Sequence, residues 1–153
     1  MSGDSLTPYA RALGITVLEE RAESGGPILA IAFGQQIEGR PGVLHGGAIG
    51  GLLETAGYAA LAHALRERGE ERRLKPINVT VQFLSSGKPK VTHASGRIVR
   101  LGRRVANIAV EAWQDDRERP IATAVMNVMV VEPNRSISPR DTDSSRSAQG
   151  EGL

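Results

Sequence analysis

Between Pro41 and Leu65 a single residue, Glu54, carries a formal charge. Around it Ile49, Leu52, Leu53, Ala56, Ala60 and Ala64 recur at the spacing of one face of an α-helix. The period predicts a helix from Gly46 to about Arg68, stopped at Gly69. Its other faces hold Gly, Ala, Leu and Tyr instead of Lys and Glu. A helix apolar on every side has to be enclosed, so the rest of the chain must supply a wrapper.

The flanking segments can do that. Leu6–Leu13 is expected as a short helix ended by Gly14. Ile15–Glu23 and Ile28–Phe33 form a hairpin around Gly25-Gly26-Pro27, and Gly34 to Pro41 is a loop. After the helix the period becomes two. Ile77, Val79, Val81 and Phe83 alternate with Asn78, Thr80 and Gln82, and strands follow at Val91–Arg100, Val105–Trp113 and Ile121–Val131. Turns fall at Ser85–Pro89, Leu101–Arg104 and Asp115–Glu118. This is an α+β chain in which an antiparallel sheet of five to six strands wraps one long central helix. One domain is expected over 1–133. Beyond Pro133 the composition is Ser, Arg, Asp, Thr and Gly, and 134–153 is expected to be a disordered tail. Edge strands left open by such a sheet are a liability that a homodimer or homotetramer would relieve.

Several function classes are disfavoured. There is no cysteine, hence no disulfide, thiolate nucleophile or Cys-ligated zinc. His45, His63 and His93 lack metal-ligand spacing, and no Gly-x-Ser-x-Gly elbow, P-loop or dinucleotide fingerprint occurs, so no metal or cofactor is expected. The pI is about 9.4 but the net charge is only +2, and the charged run Arg66–Lys75 mixes both signs without an aromatic ladder; nucleic acid is not the expected partner. The apolar stretch Ala48–Leu65 contains Glu54 and His63 and is expected to be buried in protein, not in a membrane. No secretory signal precedes it, and a cytoplasmic location is expected.

Glu54 has no Lys or Arg at i±3 or i±4. On the wheel it lies beside Leu61, Leu65, Gly50 and Gly57. Enclosure without a counter-charge would disfavour its ionised form, a condition that concentrates at functional sites. The other readings are that it reaches solvent or pairs with Arg97 or Arg100. Upstream, Gly42-Val43-Leu44-His45-Gly46-Gly47 runs straight into the helix, whose first amides can polarise a carbonyl or hold an anion. The same glycines also suit a tight strand-to-helix turn. His45 and Glu54 lie about 13 Å apart along the axis at the standard rise, too far to share one carbonyl carbon. A two-fold axis could bring one subunit's Glu54 to the other's Gly46.

His45-Gly46-Gly47-Ala48-Ile49-Gly50-Gly51-Leu52-Leu53-Glu54-Thr55-Ala56 resembles the His-Gly-Gly segment of PaaI-like hotdog acyl-CoA thioesterases, in which an acid follows the His by nine residues. Thr80-Val81-Gln82-Phe83-Leu84 and Gly102-Arg103-Arg104 resemble further parts of that family, and the likeness covers roughly residues 5 to 132. It implies a hotdog fold and hydrolysis of an acyl-CoA thioester, with coenzyme A entering only as part of the substrate. Glu54 would be general base or nucleophile, the Gly46 amide would polarise the carbonyl, and His45 would support the loop. Asn78 and Thr80 would lie near the acyl group or the attacking water, and Arg103 and Arg104 near the phosphates; Gly47 and Leu61 are further expected substrate-binding residues, and any of Leu61, Leu65, Tyr58 and the partner's strands could close the acyl end. Gly39 stands where many relatives have Asn, and Pro76 near where some have Ser.

Two other functions fit the same fold. A non-catalytic acyl-CoA binding protein would keep the pocket and lose turnover. A hotdog dehydratase would need a His upstream of the acid, where this chain has Gln36-Ile37-Glu38.

Overall fold

The structure, a computed structural model, describes residues 6–133. The expected tail, 134–153, lies outside the described residues. Helix α1 (Pro8–Ala12) leads into the hairpin β1 (Ile15–Arg21) and β2 (Pro27–Ile31). A 3-10 turn at Gln35–Ile37 precedes the long helix α2 (Gly46–Glu67). Four strands follow: β3 (Arg73–Phe83), β4 (Thr92–Leu101), β5 (Val105–Trp113) and β6 (Ala122–Val131). All pair antiparallel in one six-stranded sheet of order β1-β2-β4-β5-β6-β3.

The sheet curls around α2 as the alternation requires. Ala106, Ile108, Val110 and Ala112 of β5 and Ala122, Ala124, Met126, Val128 and Val130 of β6 point at the helix and are buried. From α2, Ile49, Leu52, Leu53 and Ala56 join them in the core. Two glycines let helix and sheet approach closely. Gly57 lies against the Met126 sulfur, and a methyl on Gly96 of β4 would stand 2.8 Å from the Ala60 Cβ. The core therefore needs few aromatics.

Two sequence expectations are corrected. First, β3 begins at Arg73 instead of Ile77, so it contains Pro76. Proline is tolerated because β3 pairs only with β6, leaving its other edge without a ladder, and because the register slips between Pro76 and Asn78. Second, α2 is not enclosed on every side. The sheet covers the Leu52–Ala56–Ala60 side, while His45, Gly47 and Glu54 are exposed and Gly46, Gly50, Thr55 and Tyr58 half-buried. Gly and Ala make this second face read as interior, although nothing in one chain covers it completely.

Candidate active site

The site is built at the start of α2. Leu44 N–H donates to the Gly87 carbonyl at 2.9 Å and His45 N–H to that of Ile37 at 2.8 Å, which ties the incoming loop to two neighbouring turns. His45 is the N-cap, and its Nδ1 accepts the Gly47 N–H at 2.8 Å. The neutral ring therefore carries its proton on Nε2. The His45 carbonyl takes the amides of Ala48 and Ile49 at 3.0 and 3.1 Å. Of the first-turn donors this leaves Gly46 N–H without a partner among the described residues, at the positive end of the helix dipole.

Beside Gly46 stands Phe83, the last residue of β3; a methyl on Gly46 would touch its ring at 3.4 Å. Gly46, Ile49, Phe83, Leu84 and Ser85 line an open cleft of about 310 Å³. A larger cavity, about 710 Å³, lies on the opposite face of the sheet around Ser95, Arg117 and Glu111. There the Arg117 guanidinium is already engaged by Glu111 at 2.8 Å, Ser95 at 2.7 Å and the Trp113 ring at 4.6 Å. The smaller cleft, unlike this one, borders a helix N–H that has no partner among the described residues.

Glu54 projects from the uncovered face of α2, two turns beyond Gly46. It is exposed within one chain, so the expectation that a single subunit encloses it fails. It makes no ion pair among the described residues, and neither Arg97 nor Arg100 reaches it. One turn on is Tyr58, whose phenol is pushed up from the usual tyrosine range by burial and then by the Glu54 carboxylate.

The remaining expected site residues scatter. Gly47 is held by His45 and lies on the exposed face. Leu61 is not beside a pocket: it is fully buried in the main core, because the sheet covers that part of α2. Asn78 and Thr80 pair with Asn127 and Val125, which point away from α2, so one subunit does not bring them to Glu54. Asn78 instead ends a ladder on the outer face, in which Asn107 donates to Asn127 and Asn127 to Asn78 at 2.7 Å. Arg103 and Arg104 are exposed in the β4–β5 turn. Arg103 shares a small cavity with Arg68 and Glu70 just past the end of α2, about 30 Å from Gly46 by the helical rise. Gly39 lies against His45: a methyl there would stand 3.2 Å from the His45 Cα. Phe83 was not singled out for the site by the sequence, whereas Tyr58, expected with Leu61 and Leu65 as a residue that could close the acyl end, stands one helical turn from Glu54.

Among the described residues, no group of three His, Cys, Asp or Glu could hold a metal ion. No helix there is long and apolar enough to cross a membrane.

Residues 41–121, which contain α2, the Gly46 start and Glu54, match the family model of the thioesterase superfamily. The chain belongs to that superfamily. A solved protein from Chromobacterium violaceum is similar at 33% identity, with 84% of this chain and 85% of that one covered and a TM-score of 0.60. A phenylacetic acid degradation-related protein from Ralstonia eutropha is similar at 23% identity, covering 84% and 94% with a TM-score of 0.68. A Bacillus halodurans protein solved with CoA is similar at 18% identity, covering 85% and 82% with a TM-score of 0.69. No curated protein sequence matches closely enough to count. The fold is thus the hotdog fold expected from the His-Gly-Gly segment, and the superfamily assigns thioester hydrolysis at the level of reaction class.

Proposed function

We propose that this thioesterase hydrolyses acyl-CoA esters in a site completed by two subunits. The observation that carries the reading is the unpartnered Gly46 amide at the helix start, beside the Gly47 amide that His45 Nδ1 takes. A thioester oxygen accepting from Gly46 N–H gains a donor fixed before reaction, which stabilises the charge that develops as the carbonyl becomes tetrahedral. The partner's Glu54 takes a proton from water, whose oxygen attacks the carbonyl carbon. The C–S bond then breaks, and the thiolate leaves to be protonated as free CoA. Direct attack by the carboxylate, followed by hydrolysis of the anhydride, uses the same residues.

The need for a partner comes from distance and exposure. Glu54 and Gly46 of one chain are separated by about two helical turns, and the face that holds Glu54 is uncovered. Antiparallel helices in a two-fold dimer would place one subunit's Gly46 near the partner's Glu54. They would also bring the partner's Arg103 and Arg104 toward that end, where their guanidinium groups suit CoA phosphates. The open edge of β3 is the natural contact, with Ile77 47% and Phe83 57% exposed.

The test is thiol release from a panel of acyl-CoA esters by wild type and Glu54→Gln. A fall in kcat of about 10²–10⁴ with little change in ligand affinity is expected for loss of a general base. Equal thiol release by both proteins would turn the reading toward a binding protein.

A further inference from the structure

An antiparallel sheet with one wetted face sets apolar side chains inward and polar ones outward. β5 and β6 depart from that rule. Their inward residues fill the core, yet Val105, Val125 and Met129 stand outward and are 38%, 56% and 40% exposed. The register puts Val105 opposite Met129 and Ala109 opposite Val125. Between these two rows Asn107, Asn127 and Asn78 bond to one another through their amides. The middle of the outer face is therefore apolar, crossed by one row of amides that already have partners.

The flanking strands are basic. On β3, Lys75 lies opposite Met129 and Arg73 opposite Val131. On β4, Arg97 lies opposite Ala109 and Arg100 opposite Asn107. None of these four cations is in an ion pair among the described residues. β3 and β4 are three strand spacings apart, roughly 14 Å. The acid on this face of the four strands, Glu111, is held by Arg117 at 2.8 Å, and Glu23 and Glu118 line the cavity around it. A net charge of only +2 thus hides a face on which cations are concentrated.

An exposed apolar patch with a polar rim marks an interaction surface. A second copy is a poor occupant, because a two-fold axis would set the same basic flanks against each other. We propose that the outer face of β4, β5, β6 and β3 docks on an anionic lipid surface, with Val105, Val125 and Met129 at the headgroup boundary and the flanking cations on lipid phosphates. The sheet curls around α2, so this face is convex and its middle strands stand forward. Arg and Lys on either side can lay their stems on apolar surface while their charged ends reach phosphate. This is contact with a surface and not a span. It goes beyond thioester hydrolysis and does not depend on the role of Glu54. Pairing at the β3 edge, as proposed above, leaves this face open and sets two copies of it side by side, so a dimer binds through both.

The experiment is co-sedimentation of the full chain with vesicles of phosphatidylcholine alone and of phosphatidylcholine with phosphatidylglycerol in equal parts. Thermal midpoints and lipid-free turnover of a short acyl-CoA are measured beside it. Binding to the mixed vesicles, lost in high salt and absent with phosphatidylcholine alone, is the expected result. Lys75→Gln and Arg100→Gln each weaken it by about fivefold, the worth of one cation at an anionic surface. Val125→Thr and Met129→Gln, which nearly keep side-chain shape, weaken it as well, and all four variants keep the midpoint and the lipid-free turnover. Should Val125→Thr melt early, Met129→Gln carries the apolar half of the test. No binding to the mixed vesicles, or equal binding to both kinds, overturns the proposal. So does binding unchanged in Val125→Thr and Met129→Gln, which leaves a basic surface open to any polyanion. Sedimentation velocity showing a larger assembly that Val125→Thr or Met129→Gln splits puts a second copy on this face and overturns it too.

Discussion

The ring of His45 accepts the amide proton of Gly47 at 2.8 Å, and the neighbouring Gly46 amide has no hydrogen-bond partner among the described residues. A side chain that caps a helix usually satisfies whichever donor it reaches. Here it takes the second amide and leaves the first without a partner among the described residues.

Gly46→Pro separates the donor from the fold. Gly46 is the first helical residue, where proline is favoured because that N–H has no partner within the helix. His45 has φ −63° and ψ 133°, the extended conformation that a following proline demands. The variant should keep its thermal midpoint and lose roughly 10²–10³ in kcat, the usual effect of deleting one oxyanion donor. Stopped thiol-release assays beside thermal melts check both halves.

Tyr58 reports on the carboxylate. Burial and the Glu54 charge both hold its phenol neutral to higher pH than a free tyrosine. Glu54→Gln removes the second cause and leaves the first, so the Tyr58 transition should move down in pH while staying above the ordinary range. Ultraviolet titration in a Tyr9→Phe background, which isolates Tyr58 as the remaining tyrosine, reads the shift. A midpoint unaffected by Glu54→Gln would show that the two groups do not sense each other.

A charge placed on the open edge of β3 tests the requirement for two subunits. Ile77 is 47% exposed beside the register slip. Ile77→Lys should leave each subunit folded, shift the sedimentation profile toward monomer and lower turnover in proportion. Monomeric protein with full turnover would show that one chain suffices.

The sequence was most legible where periodicity was strong. The alternation in Val105–Trp113 and Ile121–Val131 located β5 and β6, and the spacing from Ile49 to Ala64 located α2, because burial against one partner imposes a regular pattern. Glu54 stood out as the lone charge for the same reason. Its surroundings did not follow, since Gly and Ala look alike whether a face is covered by its own sheet or left for something else. Parity along β3 could have warned about Asn78 and Thr80: Val79 and Val81 face the helix, so their neighbours face away. Phe83 was beyond reach, because its approach to Gly46 joins segments 37 positions apart with no shared periodicity.

The close fit of Gly57 against the Met126 sulfur bears on how this thioesterase ages. Met126 is fully buried, whereas Met129 is 40% exposed and can take up oxygen at little structural cost. Peroxide reaches Met126 only when the helix lifts from the sheet. A sulfoxide formed in that moment has no room above Gly57, so the helix cannot settle back. Under oxidants, each transient opening should then trap the helix away from the sheet until that one side chain is reduced again.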